Sequence, residues 1–150
     1  MERGTIREQF RNIACFFVLG YFTIFFGEVI TAAYVDIFAG ESATLRAAIV
    51  TTGLAHVVVK VTLPWVFQKM PYNGKIVLLF SFYAAGLVIV AVSRSPGAGL
   101  LGLAVFESGR AMAEVVFLSL TAFYGDFALN SFVAGGGLGI VLGAFCYSGK

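Results

Sequence analysis

The stretch from Glu107 to Tyr124, ESGRAMAEVVFLSLTAFY, constrains the fold more than any other. It is apolar enough for a membrane helix, yet Glu107, Arg110 and Glu114 lie inside it. On an α-helix, positions i, i+3 and i+7 share one narrow face, and Thr121 returns to that face two turns later. A membrane helix with charges on one stripe must turn that stripe away from lipid, toward protein or water. The whole chain points the same way. It is 59% hydrophobic and only 12% charged, where soluble domains average ~45–50% apolar and ~25% charged residues. With a mean hydropathy of +0.93, it carries more apolar surface than a small soluble domain can hide.

The pattern divides into a charged tail, residues 1–12, and five apolar segments near 13–38, 43–67, 76–92, 99–124 and 127–147. The expected fold is all-α, a polytopic transmembrane helix bundle. Ile76 to Val92 contains no charged residue and matches the ~17–25 residues that cross the hydrocarbon. Asp36, Gly40 and Glu41 are expected to close the first segment. Pro64 is expected to end or kink the second, because proline removes a backbone donor. Pro71 and Asn73-Gly74 signal a turn before the third segment, and Gly125-Asp126 signals one before the fifth. The tail lacks a signal-peptide cleavage pattern, so the first segment is read as a retained span. Five spans put the two ends on opposite sides. A cytoplasmic N-terminus places Arg3, Arg7, Arg11, Lys69 and Lys75 inside and Arg46, Arg94 and Lys150 outside, the orientation that the excess of inside cations favours.

Ionisable groups within spans are the candidates for function. Lys60 and His56 stand one turn apart on the second span, with Thr52 a turn earlier. Lys60 can be neutralised by Glu107 or Glu114. The bland reading is a polar pair that pins two helices, and the sharper one is a substrate or proton site. Glu28 interrupts the first span and either reaches an interface or faces the same cavity. Glu28, Glu107 and Glu114 outnumber Lys60 and Arg110, so one carboxylate is left over unless it takes a proton. A proton-coupled carrier can use that excess. Gly135, Gly139 and Gly143, spaced by four, form one groove for close helix packing or for bending. Cys15 and Cys146 lie in apolar runs, and no Cys/His cluster suggests a metal. There is no GxSxG, Walker A or HExxH motif, so neither an enzyme nor a cofactor is expected. The net charge of +2 gives no reason to invoke nucleic acid.

The string EVVFLSLTAFY, Glu114 to Tyr124, resembles the battenin family. NIACFFVLG and TAAYVDIF resemble its first span. VVVKVTLPWVFQKMPY, with Lys60, Pro64 and Pro71-Tyr72, is similar to its second span and following loop. The glycine-rich run through Gly135, Gly137 and Gly143 to LGAFCY is similar to a later helix. The chain differs at Thr23-Ile24, where the family has paired asparagines, and at Val35, where it has a histidine before the retained Asp36. GRAMAE replaces a Ser/Gly-rich lead, so Glu107 and Arg110 rest on helix geometry alone.

The resemblance implies a polytopic protein of the major facilitator type in a lysosomal, vacuolar or endosomal membrane. It further implies links to lysosomal or vacuolar pH homeostasis, basic amino-acid transport and clearance of glycerophosphodiesters. By motif match, Lys60 and Glu114 carry over as site residues. Members have about twelve spans in two halves, so this chain is expected to be an N-terminal portion that works with a missing C-terminal half or another membrane subunit. The expected partners are the bilayer and a small solute, with a proton as candidate coupling ion. The alternative is a non-transporting membrane protein that acts in lysosomal trafficking or regulation through partners.

Overall fold

The computed structural model describes the backbone of residues 6–37 and 42–148, and the side chains of these residues other than 34–37, 42, 45, 147 and 148. Five helices follow in order: α1 Ile6–Ile37, α2 Ser42–Phe67, α3 Tyr72–Val92, α4 Pro96–Tyr124 and α5 Asp126–Ser148. The described residues contain no strand. α1, α2, α3 and α5 each hold a stretch long and apolar enough to cross a membrane. The protein is thus an all-helical membrane bundle. α4 has the length, 29 residues, but three charges and several glycines dilute its hydropathy. It takes the central place and packs against all four other helices.

The helix ends follow local chemistry. α1 already begins at Ile6, so residues 6–12 of the expected tail are helical. Residues 1–5 and the expected stop at Gly40-Glu41 lie outside the described residues. α2 runs through Pro64 to Phe67. The proline deprives only the Lys60 carbonyl of its amide, with less than one further turn to disturb. Asn73-Gly74, expected as a turn, falls in the first turn of α3, after an N-cap at Pro71. First-turn amides have no intrahelical acceptors to lose, so weak helix formers are tolerated there. Ser95 caps α4 by accepting from the Ala98 amide at 3.3 Å, with Pro96 in the first turn, the favoured arrangement for a helix start. Gly125 closes α4 at φ 88°, a conformation suited to glycine. Its amide donates to the Thr121 carbonyl at 3.0 Å, and α5 begins at the next residue.

Two glycine-lined seams hold the bundle together. α1 and α5 run parallel, and Gly135 sits against the Phe17 carbonyl. A Cβ at Gly139 would lie 2.8 Å from the Tyr21 carbonyl oxygen, and one at Gly143 would lie 2.7 Å from the Glu28 Cβ. α3 and α4 run antiparallel, with Gly86 of α3 closed against the Phe106 backbone. Close backbone approach at small residues is how membrane helices gain packing energy where lipid removes the hydrophobic drive. Two apolar cores result. Phe16, Leu63, Phe67, Leu79, Val116 and Phe117 belong to one. Ile30, Ala48, Leu103 and Phe106 form the other. Glu28 on α1, His56 on α2 and Glu107 and Arg110 on α4 fall between the two, while Lys60 and Glu114 lie alongside the first.

Replacing Gly135 by Val is expected to destabilise the bundle by ~1–3 kcal/mol, because a backbone carbonyl cannot move aside for the new side chain. Gly137 has no neighbour within 4 Å of its would-be Cβ. Gly137→Ala is therefore expected to be neutral or to gain up to about 1 kcal/mol from helix propensity. Thermal unfolding in detergent compares the two.

Candidate functional site

Six ionisable side chains from three helices meet near the middle of α2 and α4. α4 contributes Glu107, Arg110 and Glu114, α2 contributes His56 and Lys60, and α1 contributes Glu28. The α4 stripe reaches two different residues of α2, because the two helices run parallel. Lys60 Nζ lies 2.7 Å from Glu114 Oε2. His56 Nε2 lies 2.9 Å from Glu107 Oε2. Arg110 Nε donates to His56 Nε2 at 3.2 Å and stands 2.8 Å from Glu107 Oε2 as its ion-pair partner. Its Nη1 stands 3.7 Å from Glu28 Oε1.

Burial divides the cluster. The Glu107 side chain is fully buried, with His56 18% exposed and Arg110 16% exposed. Lys60 and Glu28 keep 45% and 40% exposure. Glu107 Oε1 is buried with no hydrogen-bond partner among the described residues. Arg110 reaches α1 because residue 27 is glycine: a Cβ there would lie 2.7 Å from Arg110 Cδ and Nη1. The Lys60 carbonyl, freed by Pro64, is a spare acceptor on the α2 backbone.

Glu28 thus joins the cluster through Arg110, and Lys60 takes Glu114 rather than Glu107. Thr121 shares the stripe and is buried, but its hydroxyl donates to the Leu118 carbonyl at 2.7 Å. Thr52 likewise bonds the Ile49 carbonyl at 2.9 Å. Gly135, Gly139 and Gly143 lie on the α1 seam, and Gly143 abuts Glu28. Sequence reasoning missed the role of Gly27, although a glycine just before an intramembrane carboxylate is a usable signal. It also missed Tyr83 of α3, whose hydroxyl donates to the Thr23 carbonyl at 3.4 Å. No sequence pattern marks that contact. A cavity of about 330 Å³, lined by Phe22, Phe26, Phe80, Tyr83, Leu87 and Phe106 among others, is apolar, and none of the six clustered side chains lines it. Among the described residues, no group of three or more His, Cys, Asp or Glu side chains is placed to hold a metal.

The profile of the CLN3 protein family matches residues 14–149. The chain belongs to the CLN3 protein family. It is 30% identical to protein BTN1 of Yarrowia lipolytica over 85% of this chain and 32% of the relative. It is 29% identical to battenin of Canis lupus familiaris over 73% of this chain and 25% of the relative. Protein BTN1 of Candida glabrata is 30% identical over 87% of this chain and 32% of its own. The chain therefore spans about a quarter to a third of the length of these relatives. No solved structure gives a significant match. Family membership and the apolar helices together make this a multi-pass membrane protein.

Removing one partner of a buried ion pair leaves an uncompensated charge. Arg110→Met, which strands Glu107, is expected to destabilise the bundle by ~3–5 kcal/mol. Adding Glu107→Gln should recover part of that loss, with a coupling of ~0.5–3 kcal/mol. Lys60→Met opens a pair whose cation is 45% and whose anion is 17% exposed, and should cost less than Arg110→Met, ~1–3 kcal/mol. Reversible denaturant unfolding in micelles measures all three, and equal losses at Arg110 and Lys60 would contradict the division by burial.

Proposed function

We propose that this chain forms part of a secondary transporter of the lysosomal or vacuolar membrane, moving small solutes around a polar site at mid-membrane. The Lys60–Glu114 pair carries the reading. It is short, at 2.7 Å, yet the Lys60 side chain remains 45% exposed within a membrane-length helix. An ammonium there costs several kcal/mol against lipid, so its open side faces water, solute or a further protein element. Glu28, the other open group, is anionic. An open cation and an open anion together suit a cationic or zwitterionic solute, and basic amino acids and glycerophosphodiesters are the candidate classes. Movement of such a solute would contribute to organelle pH homeostasis. The chemistry is carriage rather than catalysis, and it requires no cofactor.

In this reading Lys60 and Glu114 exchange their mutual bond for bonds to solute. Arg110, His56 and Glu107 hold α1, α2 and α4 together behind them. Alternating access requires a second bundle against which the first can rock. That bundle is supplied by a longer form, another subunit or a second copy. The N-terminus faces the cytoplasm, on the balance of Lys and Arg. An alternative role in trafficking or regulation through partners would use the same cluster only as a structural lock.

Uptake into vesicles containing the reconstituted chain separates the two. Lys60→Arg and Glu114→Asp keep charge and pairing but move the charged atoms. They are expected to lower uptake of the transported class by about tenfold or more, equivalent to ~1.4 kcal/mol of site geometry, with little change in unfolding temperature. Wild-type uptake that neither variant alters would favour the structural lock.

A further inference from the structure

The cluster has an inner layer that a solute does not meet. Glu107 is fully buried, and its carboxylate faces His56 and Arg110. Glu28, Glu107 and Glu114 bring three negative charges, and Lys60 and Arg110 bring two positive ones. With a neutral imidazole the cluster carries one uncompensated negative charge between two apolar cores. Net charge in such surroundings is costly, and one added proton removes it.

The heavy-atom geometry shows which pair of groups can take that proton. At 2.9 Å, His56 Nε2 and Glu107 Oε2 are close enough to share a hydrogen, which either the ring or the carboxyl can carry. Arg110 Nε has one hydrogen, which it donates to Nε2 at 3.2 Å, and it stands 2.8 Å from Oε2. Once Nε2 carries its own proton, the carboxylate is the acceptor left to Arg110. His56 retains 18% of its side-chain surface exposed and Glu107 retains none. The ring is therefore the entrance and the carboxylate the store.

We propose that His56 and Glu107 form a single proton-binding site whose occupancy controls how Arg110 ties α4 to α1. When the proton arrives, the ring becomes an imidazolium whose Nε2–H donates to Oε2. Transfer over 2.9 Å breaks the N–H bond, leaves its electron pair on nitrogen and forms an O–H bond at Oε2. The charged pair becomes a neutral imidazole and a carboxylic acid. Uncharged Glu107 no longer holds the guanidinium, whose charge is then left to Glu28, 3.7 Å away on α1. One proton transfer thus shifts the attachment of Arg110 from its own helix to a neighbour. Gly27 leaves room for the side chain there.

The site is faced by charged or titratable groups from several elements. α1 presents Glu28, α2 presents Lys60, and α4 presents Arg110 and Glu114. α3 presents Tyr83, whose ring packs edge-on to Phe106 at 4.9 Å between centroids, and α5 brings the Gly143 backbone against Glu28. Lys60 and Arg110 oppose an added proton and the carboxylates favour it. Use of the proton to drive solute movement rests on the carrier reading above, whereas occupancy of the site does not.

His56 is the sole histidine of the chain, so ring-nitrogen NMR of the histidine-labelled full chain in lipid nanodiscs reads this site alone. The ring-nitrogen shifts are expected to change across the accessible pH range in wild type, and to change differently in Glu107→Gln. Proton uptake after a pH step, counted with an indicator dye, provides the second readout. Wild type is expected to bind about one proton per chain more than His56→Gln or Glu107→Gln, and the double variant no fewer than either single one, because one shared proton is lost only once. A double variant that loses two protons, single variants that lose none, or a ring unchanged across that range would overturn the proposal. A full proton count without any solute uptake would leave the site standing and remove the carrier reading instead.

Discussion

The Glu107 carboxylate, fully buried in a bundle built for hydrocarbon, is the interaction on which the architecture depends. Two ions leaving water lose several kcal/mol of solvation each, and only close, hydrogen-bonded pairing repays that. Arg110 supplies the cation from the next turn of the same helix. His56 supplies a ring nitrogen from α2, and Arg110 extends to Glu28 on α1. The partners come from α4 itself, α2 and α1, so the charge is satisfied only where those helices close on α4. The one helix of the five without a qualifying membrane-length apolar stretch is therefore the central one, and the other four pack around it.

Surrounding α4 so closely needs thin walls. The α3–α4 seam closes at Gly86 against the Phe106 backbone, and the α1–α5 seam closes at Gly135 against the Phe17 carbonyl. Gly27 serves a different purpose, since the space it leaves is taken by the Arg110 side chain. Structure and site thus use the same residue type for two ends. Glycines on the seams bring backbones together, and one glycine beside the cluster lets a long cation pass between helices. The apolar cores on either side confine the polar groups to a layer. The layer stays open only at Lys60 and Glu28, the groups with large exposure. An inner proton site and an outer solute site can coexist on that basis without competing for the same atoms.

Much of the fold could be read from hydrophobic runs, because a lipid-facing helix must be apolar along its full length. Interior chemistry was less readable. The spacing of Glu107, Arg110 and Glu114 placed them on one face, but spacing along a helix carries no information about which neighbour that face meets. Lys60 could be neutralised by either glutamate. Asn73-Gly74 misled for a related reason: its turn propensity is real, but the first turn of a helix tolerates it. The family likeness singled out Lys60 and Glu114, whereas the more buried group of His56, Glu107 and Arg110 lies outside the matched motifs.

The sequence by itself determined that this chain is a bundle of membrane-length helices with charges it must shelter, since composition and period alone decide what lipid will accept. It also carried the family motif. Only the tertiary structure decided which charges meet. Partner choice depends on helix direction, rotation and the closeness that glycine seams permit, and these are set by packing among segments far apart in the chain. That packing gave Lys60 to Glu114, left Glu107 to His56 and Arg110, and separated the open pair from the buried one.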